Sequence, residues 1–137
     1  MIYEIQVQFA KIDGNGNDKT IKEKYIIAEA EYFGEAEAKG LSYCMNERNL
    51  EVVAIKRSKI REIINKRTSE EQNIFVAEVA DVRTNEDGEE TEIVYKVALF
   101  AINMDDAYTK AKEWLTQGYD MVMLGVKKVK IEDVIWE

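Results

Sequence analysis

Histidine and proline are absent from this 137-residue chain, and cysteine occurs once. Without histidine, Ser-His-Asp and Cys-His catalysis, histidine-ligated zinc and the usual near-neutral proton shuttle are excluded. A lone Cys44 cannot form an intrachain disulfide or an all-cysteine zinc site, and with no histidine to activate it the thiol reads as a core residue. Missing proline removes cis-proline turns and stiff proline linkers. No apolar run approaches the roughly 18 residues that cross a bilayer, and Met1-Ile2-Tyr3 runs directly into alternating residues without a basic and apolar leader. The expectation is a cytoplasmic protein that does not engage a membrane. Carboxylate or lysine chemistry needs no histidine, but no residue pair stands out for it, so no catalytic residue, cofactor or metal is expected.

What is present is an internal repeat. Residues 34–64 and 105–135 overlay at a constant offset of 71 without a gap. Ala36/Ala107, Lys39/Lys110, Lys56/Lys127, Lys59/Lys130, Ile60/Ile131 and Ile64/Ile135 are identical, and Gly40/Ala111, Tyr43/Trp114 and Cys44/Leu115 match in kind. Upstream the register slips by one, so that Tyr3 meets Phe75, Val7 meets Val79 and Gly16 meets Gly88. The hairpins, where insertions are tolerated, are the expected place for the slip.

Within each repeat the periodicity changes in a fixed order. Tyr3, Ile5, Val7 and Phe9 alternate with polar residues, Asp13 to Asp18 forms a polar turn, and an apolar, β-branched stretch runs from Thr20 to Ala30. Ile74 to Arg83, the turn around Gly88, and Thr91 to Ala101 repeat that hairpin. Helical spacing follows at Phe33, Ala36, Gly40, Tyr43 and Cys44, and at Met104, Ala107, Ala111, Trp114 and Leu115. Asn103 is placed as an N-cap and Gly118 as a C-terminal stop, with Gly34 and Asn49 in those roles for the first helix. Leu50 to Ile55 and Met121 to Val126 read as third strands; residues 58–64 and 129–135 fit one helical turn or an irregular edge strand. The fold class is therefore α+β: a duplicated β-β-α-β unit, with an antiparallel-rich sheet and two amphipathic helices packed on one side. A single domain with one core is expected, its repeats spanning about 1–66 and 73–137 and joined by a short charged linker at Asn65 to Asn73.

Charge is split between the repeats. Residues 1–68 hold 12 Lys and Arg against 11 Asp and Glu, net +1, whereas residues 69–137 hold 7 against 16, net −9. Glu86, Asp87, Glu89 and Glu90 crowd the second hairpin tip, where they would attract a basic protein partner, although a solvated turn is the ordinary reading. Lys56, Arg57 and Lys59 recur as Lys127, Lys128 and Lys130. Repeated cations beside tyrosines and phenylalanines would suit single-stranded nucleic acid; charged ends of solvated strands are the commoner explanation. Asp13, Asn15 and Asn17 imitate the start of a calcium loop, but Asp18 and Lys24 stand where glycine and a bidentate glutamate are needed, so no metal site is assigned. The leading expectation is a non-enzymatic binding protein that meets a partner protein through its acidic second repeat, with single-stranded nucleic-acid binding as the alternative. Either is compatible with a homo-oligomer.

The string Glu23-Lys24-Tyr25-Ile26-Ile27-Ala28-Glu29-Ala30, then Phe33-Gly34-Glu35-Ala36-Glu37-Ala38-Lys39 and later Lys56-x-x-Lys59-Ile60-x-Glu62-Ile63, resembles an uncharacterised family. That family is a domain of unknown function met in gut Bacteroidota and in phages and mobile elements of those hosts. The resemblance covers the whole chain and departs at Gly34, where the family tends to place a hydroxyl residue. It implies a phage-linked accessory protein and assigns a role to no residue.

Overall fold

Alternation builds the first strand. In the computed structural model, which describes residues 1–115 and 121–137, β1 (Tyr3–Ile12) buries Tyr3, Ile5, Val7 and Phe9 on one face. It pairs antiparallel with β2 (Asp18–Ile27) through a turn in which the Asp13 carboxylate accepts the backbone N–H groups of Asn15 and Asn17 at 2.8 and 3.0 Å. Helix α1 (Phe33–Tyr43) and the edge strand β3 (Arg48–Arg57) complete the first repeat. The second repeat runs β5 (Asn73–Thr84), β6 (Glu90–Ala101), α2 (Met104–Leu115) and β7 (Met121–Lys128). Its turn reproduces the first, with the Asn85 amide oxygen accepting from Asp87 and Glu89 at 3.0 and 2.9 Å, and Gly16 and Gly88 both occupy positive φ.

The segments left open between helical turn and strand are strands. β4 (Ile60–Ile63) and β8 (Asp133–Ile135) each pair in parallel with a second hairpin strand, but with that of the other repeat. The sheets are β3-β1-β2-β8 and β4-β6-β5-β7, the same arrangement with the fourth strands exchanged. The chain accordingly divides into two compact units, Met1–Ser58 with Lys130–Glu137, and Lys59–Val129. Each unit holds a buried cluster. Tyr3, Ile5, Ile27, Ala36 and Ile135 belong to one, and Phe75, Leu99, Ala101, Ala107 and Ala111 to the other. Each helix covers one face of its own sheet.

Close packing of α1 depends on Gly40, where a Cβ would lie 2.4 Å from Cδ1 of Ile5. At the matching place Ala111 faces a sheet that carries Ala77 instead. Volume removed from the strand is restored on the helix.

Other expectations need correction. The register slip lies outside the hairpins: Tyr3 pairs Ile27 and Phe75 pairs Leu99, so both strands and the turn share an offset of 72. It falls between β2 and α1, where Ala28 and Glu29 stand against Phe100 alone before Ala30 and Ala101 realign. Gly34 lies inside α1, whose N-cap is Tyr32 without a side-chain cap, and Asn49 is a positive-φ residue in β3 near a register shift. Asn103 does cap α2, accepting the Asp106 N–H at 2.8 Å while the Asp106 carboxylate accepts from Ile102 at 2.9 Å. Gly118 lies outside the described residues. The linker segment from Asn65 is a bonded loop that runs into β5 at Asn73. Asn65 exchanges two hydrogen bonds with the Phe100 backbone, Arg67 stacks 4.8 Å from the Phe100 ring centroid, and the buried Gln72 accepts from Thr68 and Ser69.

The two identical lysines of the helices have one job each, done twice. Lys39 pairs with Glu35 and donates to the Glu29 carbonyl; Lys110 pairs with Asp106 and donates to the Phe100 carbonyl. Both carboxyl groups are held below the usual carboxylate range, chiefly by the backbone N–H of the residue four positions upstream, Glu31 or Ile102. Their identity across the repeats is structural.

Candidate functional site

The acidic tip is built by the turn. The Asn85 amide holds the backbone, and Glu86, Asp87, Glu89 and Glu90 are left exposed around it. The matching residues of the first repeat are Gly14, Asn15, Asn17 and Asp18, so the same turn geometry needs no such acidity. Asp18 is moreover paired with Arg48 at 2.6 Å. Among the described residues no group of three or more His, Cys, Asp or Glu could hold a metal ion.

The basic runs do not form one-sided patches. Lys56 pairs Glu4 while Arg57 pairs Tyr3, and strand alternation sends neighbours to opposite faces; Lys127 and Lys128, opposite Val76 and Phe75, behave alike. Lys59 opens the second unit and Lys130 opens the C-terminal part of the first. What the structure does bring together is a lysine pair in each unit. Lys24 and Lys56 border a depression of about 180 Å³ with Glu4 and Gln6, and Lys96 and Lys127 border one of about 240 Å³ with Glu78. Lys24 and Lys96 match at the offset of 72 that the hairpins share.

The sheet aromatics are not a stacking platform. Tyr3, Tyr25, Phe75 and Phe100 are buried, and half-buried Tyr95 lies beneath Arg61 at 4.7 Å. Burial, together with hydrogen bonding to the Glu23 carboxylate, pushes the Tyr25 hydroxyl well above its ordinary pKa. The exposed rings Tyr32, Phe33, Tyr43 and Tyr108 lie on or beside the helices. Cys44 is buried, and burial raises its thiol pKa, as befits a core position matched by Leu115.

A third feature emerges when the repeats are laid over one another in their observed registers. On the face away from α1, Gln8 is flanked by Lys22 and Glu51, with Gln8 donating to the Glu51 carboxylate at 3.0 Å. The same three places in the second unit hold Ala80 between Val94 and Val122. Val94 is 49% exposed and Val122 52%, and next to them Leu124 at the β7 bulge is 51% exposed. Thr20 has become Glu92 one step nearer the tip. The fold thus carries a polar row at this position in one unit and an apolar row in the other, where exposed Val94 and Val122 flank the buried Ala80.

The whole chain, residues 1–137, matches the model of a domain of unknown function, DUF4494. The chain belongs to that family. No curated protein matches it. The family brings no assigned activity, and the duplicated chain serves as its own reference, showing which features both halves share and which only one has.

Proposed function

We propose that this member of the DUF4494 family is a non-enzymatic binding protein that engages a partner protein through its acidic second repeat. The observation that carries this reading is the divergence between matched positions. The second unit alone has the row Val94-Ala80-Val122 beside a tip of four exposed carboxylates, where the first has Lys22-Gln8-Glu51 beside a turn whose two carboxylates are engaged, Asp13 by the turn backbone and Asp18 by Arg48. An apolar strip with carboxylates at its tip end and Lys96 and Lys127 beyond its other end has the composition of a recognition surface with a polarity. The reading includes the cytoplasmic, phage- or mobile-element-linked setting of an accessory protein; the described residues contain no helix long and apolar enough to cross a membrane.

Capture from a host lysate by the full chain, compared with a variant carrying Lys at positions 86, 87, 89 and 90, tests it. A partner retained by the native chain and lost by the variant supports the reading. Capture indifferent to charge reversal removes the acidic tip from it. The nucleic-acid alternative keeps one supporting feature, the lysine pairs Lys24/Lys56 and Lys96/Lys127. Burial of the sheet aromatics leaves it without stacking rings, so salt-sensitive oligonucleotide binding lost on Lys56→Glu or Lys127→Glu is the result that would favour it.

A further inference from the structure

Among the described residues β7 is the edge strand of its sheet, bordered by β5 alone. Natural sheets blunt such edges with charge, and the matching strand β3 does so with Arg48 and Glu51. β7 keeps its charge at Lys127 and Lys128 and presents Val122 and Leu124 to solvent toward the tip, where β3 has Glu51 and the exposed Val53. The bulge at Leu124 breaks the ladder, since Glu78 pairs Gly125 and Val79 pairs Met123, and leaves Met121–Met123 as the regular stretch on the side of the acidic tip. Beside that stretch lies an open groove of about 510 Å³ between α2 and β7, lined by Tyr108, Lys112, Leu115, Met121, Val122 and Met123.

We propose that this edge receives an extended segment of a partner protein as an added strand, one with apolar residues at alternate positions and basic residues toward the hairpin tip. The proposal rests on the reading of the second repeat as the binding half and specifies how the partner is held. Main-chain hydrogen bonds to Met121–Met123 would carry affinity, and alternate side chains would divide between two surfaces. One set enters the α2–β7 groove against Tyr108 and Leu115; the other extends the row Val94-Ala80-Val122 by one more strand. The charge of the occupant follows from Glu86, Asp87, Glu89, Glu90 and Glu92 on the hairpin, in a half of the chain with net charge −9. Lys112, whose ammonium lies 5.1 Å from the Tyr108 ring centroid, and Lys127 beyond the bulge oppose cations on the helix side and at the far end, which places the basic residues at the tip end.

The test uses the full chain and a fluorescent peptide of alternating valine and threonine with lysines confined to one end, prepared with them at either terminus, read by anisotropy. Binding is expected, with three losses of about tenfold or more. One is for a peptide N-methylated at alternate residues, which keeps charge and side chains but removes backbone donors. A second is for the variant Ala80→Gln/Val94→Lys/Val122→Glu, which installs the row that the first unit already folds around. The third is for charge reversal at the tip. The same peptide with glutamate in place of each lysine should not bind. Equal binding of the methylated peptide, or no effect of the row variant, overturns strand addition while a charge-sensitive partner would leave the acidic-repeat reading standing. Reversible self-association of the chain that the row variant abolishes, without peptide binding, assigns the edge to a second copy and likewise overturns the proposal.

Discussion

Tyr3 shows how much a single atom can differ between two halves of one fold. Its ring packs edge-on to Phe33 at 5.1 Å, yet its hydroxyl is buried without a hydrogen-bond partner among the described residues, and the second repeat places Phe75 there. An unpaired buried hydroxyl costs more than the packing of its ring requires, so Tyr3→Phe is expected to stabilise the protein by about 1 kcal/mol in urea denaturation. Gly40 carries the opposite lesson. Gly40→Ala pushes a methyl into Ile5, and overpacking of about 1–3 kcal/mol outweighs the roughly 1 kcal/mol of helix propensity regained. The double variant Ile5→Ala/Gly40→Ala copies the Ala77/Ala111 pair of the other unit, so a double-mutant cycle should show a favourable coupling between the two sites. Purely additive losses would deny that the contact governs the packing. Glu35 and Asp106 add a pH dependence. Their pKa values are lowered in the folded state, so the stabilisation is present above the unfolded carboxylate range and is lost as pH falls through the folded values. Glu35→Gln and Asp106→Asn should therefore destabilise the protein at neutral pH and lose that effect progressively as acid titrates the wild-type carboxylates, as followed by urea denaturation across a pH series.

Among the elements, the hairpins, helices and third strands were legible because period 2 and period 3.6 repeat in both halves at matched positions. The helix starts were legible only where side-chain chemistry declares them. Asn103 is a cap by composition and by geometry, whereas Tyr32, extended at φ −149° and ψ 168°, has no capping atom to betray it. Tyr32→Asn should supply the missing acceptor and raise stability by about 0.5–1 kcal/mol, visible as a shift in the urea midpoint at constant slope. The fourth strands were ambiguous for a physical reason. A segment of three or four residues such as Ile60–Ile63 or Asp133–Ile135 spans less than two periods of either pattern, so burial at i and i+3 fits a turn of helix or an irregular strand equally. The candidate surface was half legible. Charge is additive along a sequence, so the tip at Glu86 to Glu90 could be found by counting. The row Val94-Ala80-Val122 joins three strands, and its contrast with Lys22-Gln8-Glu51 appears only once registers are known.

At the level of the whole molecule, the exchanged strands tie the fate of each sheet to sequence in the other repeat. Ile135 ends the second repeat, yet it packs in the cluster of Tyr3, Ile5 and Ile27, and its carbonyl accepts the Ala28 N–H at 2.9 Å. Ile64 ends the first repeat, packs against the cluster of Phe75 and Leu99, and donates to the Ala98 carbonyl at 2.9 Å. Neither repeat taken by itself contains the fourth strand of its own sheet, so loss of order in one withdraws a strand from the other. Ile135→Ala removes a buried side chain worth about 2–5 kcal/mol, and its effect should fall on the first repeat. Hydrogen exchange is the direct measurement: protection should drop first in β1 and β2, more than 100 residues upstream in sequence, while β5 and β6 keep theirs until global unfolding. Thermal unfolding of the unmodified chain should then be a single transition. Two resolved transitions, or a loss of protection confined to the C-terminal repeat in Ile135→Ala, would show that the exchanged strands are held too weakly to couple the two halves.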